Sequence, residues 1–157
     1  MKDIVIEYLY LDLSVCDRCI GTDRVLEDVV EKLSPAFGLA GYRLVLKKTE
    51  MKDRATAERY RLMTSPTIRV NGRDICGTVE ESDCGCCGEI SGTQVDCRVF
   101  RYEGKDYTVA PEGLLAEGIL RNAFLEPDEP TEYRMPDNLI RFFEGKDGGI
   151  PMVRRCC

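Results

Sequence analysis

The sequence predicts an α/β protein: a mixed sheet flanked by helices, with a cysteine-rich loop insertion and a C-terminal tail. Three observations carry that prediction. The N-terminal half alternates strand and helix patterns, the order that packs helices against a sheet. Residues 66–76, "PTIRVNGRDIC", read as two strands joined by Asn71-Gly72, a strong short-range signal for an antiparallel hairpin. "PEGLLAEGILRNAFL", residues 111–125, reads as a closing helix with Pro111 near its start.

The elements follow in order. Residues 3–11, "DIVIEYLYL", form an apolar run suited to a strand buried on much of both faces. Leu26, Val29, Val30, Leu33 and Phe37 recur at helical spacing and make one amphipathic face. "SPAFGLAG" is expected to end that helix at Pro35 and its glycines. "YRLVLKK", 42–48, alternates as a strand, and "MKDRATAERYRL", 51–62, reads as a polar helix. Residues 77–97 have no apolar period and are rich in Gly, Ser and Cys, which reads as a loop; a loop of that length is usually functional or pinned. "RVFRYEGKDYTV" is a further hairpin turning at Glu103-Gly104. After Leu125 come a Pro/Glu/Asp linker, a short apolar piece "LIRFFEG", and a tail ending in Cys156-Cys157. The organisation is a domain over 1–125, holding the loop 77–97, followed by 126–157.

Composition excludes several classes of function. The net charge is −6 and no basic stripe exists, so a nucleic-acid backbone is not an expected partner. No run approaches the roughly 18 apolar residues of a membrane span. The N-terminus has Asp3 and Glu7 inside its apolar stretch and lacks a small-residue cleavage site, so no signal peptide is read and a cytoplasmic location is expected. The chain has nine cysteines and no histidine. In a reducing compartment such cysteines point to redox catalysis or metal binding before structural disulfides. Without histidine, imidazole bases and mixed Cys/His metal sites are excluded, and any metal must rest on Cys, with Asp or Glu as the fallback.

Cys16 and Cys19 stand three apart where strand gives way to helix. Unpaired N–H groups of a first helical turn, and the helix dipole, favour thiolate at the first sulfur. The spacing turns Cys19 back toward Cys16, within reach of a mixed disulfide. Between them, Arg18 favours thiolate and Asp17 opposes it. Half of a structural zinc site and capture of a soft metal are the alternatives for this pair.

This pair, "CDRC", together with "SPTIRVNG" at 65–72, resembles the thioredoxin and glutaredoxin superfamily. The resemblance covers roughly residues 3–76 and the helix 111–125. It implies a thioredoxin-like sheet, Cys16 as attacking thiol, Cys19 as resolving thiol, and Ser65-Pro66 as a cis-proline loop facing them. Ser65 and Arg18 are then the candidate substrate-binding residues. With "DCRVFRYEGKDY" added, the chain also resembles small thioredoxin-like proteins of unassigned function, some of which occur beside arsenic or mercury resistance genes. The charged Asp17-Arg18 dipeptide and the lack of a preceding Trp depart from ordinary thioredoxins.

Cys84-x-x-Cys87 has the spacing of a zinc knuckle or of a second redox pair. Cys84, Cys86, Cys87 and Cys97 are the candidate metal ligands that would pin the loop, with one or two disulfides as the competing device. Cys156 and Cys157, preceded by two arginines, are candidate tail thiols able to reach the Cys16 site. The leading expectation is a thiol–disulfide oxidoreductase that needs no cofactor, with protein or small-molecule thiols and disulfides as partners. The alternative is a thiolate binding or carrier protein for a soft metal or metalloid (zinc, arsenic, mercury or copper) without turnover.

Overall fold

The computed structural model describes residues 1–13, 16–127, 129 and 132–148. It is a mixed α/β structure with two sheets flanked by helices. The central strand is β1 (Lys2–Tyr10), which buries Ile4, Ile6, Tyr8 and Leu9. It pairs in parallel with β2 (Tyr42–Glu50) and antiparallel with β3 (Thr67–Val70), which pairs with β4 (Arg73–Asp74). The first sheet therefore runs β2-β1-β3-β4. The β3–β4 turn is the anticipated one: Asn71 and Gly72 both have positive φ, 50° and 86°, as a tight hairpin turn with right-handed strand twist requires.

The first crossover is α1 (Asp17–Leu39), longer than its periodicity suggests. The helix ends at Leu39, within the segment expected to end it and just before Gly41 at φ 85°, while Pro35 itself lies inside the helix. A proline inside a helix denies a hydrogen bond to the carbonyl four residues back. Here burial of Phe37 holds the last turn against the sheet, and the chain leaves the helix only at Ala40. The polar helix is the shorter α2 (Arg54–Arg59), started by Asp53, whose carboxylate accepts from the Thr56 N–H at 2.8 Å.

Residues 77–97 are not the loop expected. They hold β5 (Glu80–Asp83) and α3 (Gly85–Ser91), the latter closed by Gly92 at φ 72°. A seven-residue helix is too short to print an apolar period, and its buried residues are Cys86, Cys87 and Ser91 rather than Leu or Val. A second sheet, β5-β6-β7, is completed by β6 (Asp96–Tyr102) and β7 (Lys105–Tyr107), turning at Glu103-Gly104 as expected. The closing helix is α4 (Glu112–Asn122). The apolar piece after the linker is a full helix, α5 (Asp137–Gly148). Among the described residues no helix is long and apolar enough to cross a membrane.

Two apolar cores result. One fills the space between the first sheet, α1 and α4, around Ile4, Ile6, Leu26, Phe100 and Leu115. The other joins Leu9, Leu11, Met51 and Leu62 to six cysteines and to Leu139, Phe142 and Phe143 of α5. A polar tie fastens the sheets together. The Arg98 side chain is fully buried, and its guanidinium donates to both carboxylate oxygens of Asp74, at 2.8 and 3.3 Å, and to the Gly77 carbonyl at 3.0 Å. Its backbone N–H donates to the Ser65 carbonyl at 2.8 Å.

Removing one partner of a buried pair strands the other, at about 3–5 kcal/mol when both are dry. Asp74 keeps 31% of its side chain exposed, so Asp74→Ala is expected to cost about 2–3 kcal/mol, below that range. Urea unfolding at fixed metal loading measures it; a loss under about 1 kcal/mol would mean that the tie is not structural.

Candidate metal centre

Four sulfurs converge from three elements. Cys16 is the N-cap of α1 and Cys84 the N-cap of α3; neither side chain caps its own helix, so both sulfurs are free to face each other, 4.0 Å apart. Cys87 lies one turn into α3, and Cys97 on β6 places its sulfur 3.5 Å from that of Cys87. All four sulfurs lie within 4.8 Å of one another and all four residues are buried. No disulfide joins them. A tetrahedral ion with metal–sulfur bonds of about 2.3 Å needs sulfurs about 3.8 Å apart, the tetrahedral edge being ~1.63 bond lengths. The spacing present brackets that value.

The convergence has identifiable supports. Arg18, two residues after Cys16, donates to the carbonyls of Ser82 at 3.2 Å, Asp83 at 2.7 Å and Cys97 at 2.9 Å. It staples the first turn of α1 to β5 and β6, the strands that flank α3. Cys84 N–H donates to the Val95 carbonyl at 2.7 Å and closes the α3 segment on itself. Asn138 of α5 grips the backbone of Asp96: its amide oxygen accepts from the Asp96 N–H at 2.7 Å and its amide nitrogen donates to the Asp96 carbonyl at 2.7 Å. That fixes α5 beside Cys97, and Leu139, Phe142 and Phe143 share the apolar core of the four cysteines.

Cys19 stands beside the four and outside them. Its sulfur is 3.6 Å from the Ser65 hydroxyl, and its carbonyl accepts from the Tyr8 hydroxyl at 2.6 Å. The Ser65-Pro66 bond is cis, and the Ser65 hydroxyl also accepts from the Leu11 N–H at 3.0 Å. Cys86 is buried in the same core but is not one of the four. Cys76 lies apart, in the other core. Cys156 and Cys157 lie outside the described residues.

The charges are set by the sulfurs themselves. Cys16 is held well below the ordinary thiol range, because the Cys19 thiol first, and then Cys84, Cys87 and Cys97, hydrogen-bond its sulfur. Cys19 is pushed up by donating to Cys16 and by burial. Cys84 is lowered: the opposing push from Cys16 is outweighed by hydrogen bonds from Cys87 and Cys97. Cys87 and Cys97 are pushed up, with hydrogen bonding to Cys16 the largest cause in each. Burial raises Cys76 to about 12, which makes it an inert thiol near neutral pH. Among the sulfurs, Cys16 is thus the preferred thiolate.

Sequence reasoning placed three of the four sulfurs, Cys84, Cys87 and Cys97, in one candidate group. The fourth is Cys16, whose joining depends on contacts between residues more than sixty positions apart. Asn138 was not singled out, and no local pattern marks it.

Gly145 shows how closely α5 covers the centre. A Cβ there would run into the Ser91 carbonyl oxygen of α3. Gly145→Ala is expected to push α5 off α3, cost about 1–3 kcal/mol as overpacking, and speed alkylation of the buried cysteines in metal-free protein. A gain of up to about 1 kcal/mol, as for Gly→Ala in an unpacked helix, would contradict the close fit.

The family model described as "Domain of unknown function (DUF2703)" matches residues 4–119, most of the chain. Comparison with curated proteins and with solved structures gives no match.

Proposed function

The chain belongs to the DUF2703 family, and on its cysteine geometry we propose that it is a thiolate protein that binds one soft or borderline metal ion through Cys16, Cys84, Cys87 and Cys97. The observation that carries the reading is the mutual approach of these four sulfurs within 4.8 Å inside a buried core. Four dry thiolates repel one another, and a divalent cation is the partner that lets all of them ionise together. Sulfur-only ligation in a tetrahedral arrangement selects zinc, cadmium or a single iron over hard cations. Such binding would also hold α1, α3 and β6 together, since the energy of ligating a structural ion is folding energy.

A second reading is a thiol–disulfide oxidoreductase acting through Cys16 and Cys19. Its support is the pair at the start of α1 with the cis Ser65-Pro66 bond beside Cys19. Against turnover of bulky substrates stands burial: neither Cys16 nor Cys19 has exposed surface. Attack on a protein disulfide needs an accessible sulfur.

Metal analysis of the purified chain separates the readings. The expected result is one zinc, or one cobalt after exchange, per chain, with the visible spectrum of tetrahedral cobalt–thiolate. Structural zinc binding of about 10–16 kcal/mol spread over four ligands gives ~3 kcal/mol each, so Cys97→Ser should weaken binding on the order of 10²-fold. Cys76→Ser should leave it unchanged. No bound metal, with disulfide reductase activity lost on Cys16→Ser, would favour the second reading.

A further inference from the structure

We infer that Cys19 is a displacing thiol: a small hydroperoxide oxidises Cys16, Cys19 closes a disulfide with it, and the metal ion loses one of its four ligands and is released. The inference rests on the four-thiolate reading above and adds an activity to it, release of metal in response to peroxide.

Cys16 belongs to two constellations at once. It is one of the four sulfurs that converge within 4.8 Å, and it is one helical turn from Cys19, which is not among them. Cys19 lies in the first turn of the helix that Cys16 caps, and both residues are buried in the same core cluster. Cys19 has no evident need to be a sulfur if the site only holds metal. Its neighbours are the Ser65 hydroxyl at 3.6 Å and, through its carbonyl, the Tyr8 hydroxyl. A ligand sulfur with a non-ligand thiol one helical turn away is a sulfur whose oxidation can be captured without sacrificing a second ligand. The close sulfur approaches of Cys84, Cys87 and Cys97, at 3.5 and 4.0 Å, are to other members of the set.

Burial chooses the oxidant. Cys16 and Cys19 are both fully buried, and a peptide or glutathione disulfide does not fit where no surface is exposed. Hydrogen peroxide is close to water in size. The Cys16 thiolate attacks one peroxide oxygen; the O–O bond breaks, hydroxide leaves, and Cys16 becomes a sulfenic acid. The Cys19 sulfur then attacks the Cys16 sulfur. The S–S bond forms, the S–O bond breaks, and the hydroxyl leaves as water with the Cys19 proton. One thiolate, one thiol and one peroxide yield one disulfide, one water and one hydroxide. Two electrons pass from the sulfurs to the peroxide oxygens. The ion keeps only Cys84, Cys87 and Cys97. Loss of the ion unties α1 from α3 and β6 and opens the site, so an added dithiol then reduces the Cys16–Cys19 disulfide by exchange and restores the fourth ligand.

The test uses the full chain loaded with zinc, hydrogen peroxide as oxidant and a chromogenic zinc chelator as reporter. Zinc content is measured first in wild type, Cys19→Ser, Cys19→Ala and Cys76→Ser. Wild type is expected to release one zinc for each Cys16–Cys19 disulfide found by peptide mapping, and to rebind zinc after dithiothreitol. Both Cys19 variants should hold zinc but release it at least about tenfold more slowly, while Cys76→Ser behaves as wild type. Release from the Cys19 variants at the wild-type rate, or a mapped disulfide within Cys84, Cys87 and Cys97 instead, overturns this inference and leaves the metal reading standing. Cys19 variants that bind no zinc make Cys19 a ligand and also overturn it. A wild-type chain that binds no zinc removes the metal reading and this inference with it.

Discussion

Four sulfurs held together in a dry volume are the constraint on which the rest of the structure depends. A buried thiolate is costly, and a second one beside it costs more through repulsion. The metal-free cluster answers by dividing its protons: Cys16 is driven toward thiolate while Cys19, Cys87 and Cys97 are driven toward thiol. Cys84 is lowered as well, so the two N-cap sulfurs collect hydrogen bonds from their neighbours. A divalent ion changes that balance, since it repels the protons and draws all four sulfurs into the same charge state. The geometry that favours thiolate at Cys16 and Cys84 also sets four sulfurs close enough together to hold one metal ion.

The fold meets this constraint with polar ties at the edges of an apolar core. Arg18 bridges the start of α1 to the strands around α3, Asn138 pins α5 to β6, and Arg98 joins β6 to the Asp74 carboxylate and the Ser65 carbonyl. The ties use charged and amide side chains, and one backbone N–H of Arg98, on backbone and carboxylate groups at the margin of the core. The sulfurs are therefore not carried on free loops. They sit at the first turns of two helices and on a strand, elements that resist independent movement.

Local signals in the sequence report local structure faithfully and long-range convergence poorly. The two hairpin turns at Asn71-Gly72 and Glu103-Gly104 and the helix start at Cys16 were legible because each depends on a few adjacent residues. The end of α1 within residues 34–41 was legible from its glycines, whereas Pro35 is carried inside the helix, where packing of Phe37 outweighs the lost hydrogen bond. α3 was invisible because its buried face is cysteine and serine over only seven residues. The mixed α/β class was legible from the strand–helix alternation, whereas a second, separate sheet depends on pairing between β5 and β6 across α3. In the site, Cys84, Cys87 and Cys97 were legible by spacing. Cys16 as their fourth member was not, since it is brought there by long-range ties such as the Arg18 staple and the docking of the second sheet on Ser65.

Family membership supplies no chemistry for this chain, and the proposed metal site rests on the arrangement of its four sulfurs. X-ray absorption at the metal edge of the zinc-loaded full-length protein tests that most directly. Four sulfur scatterers at about 2.3 Å, with no light-atom ligand, are expected. Two or fewer sulfurs, or oxygen and nitrogen completing the shell, would contradict the assignment of Cys16, Cys84, Cys87 and Cys97 as one metal site.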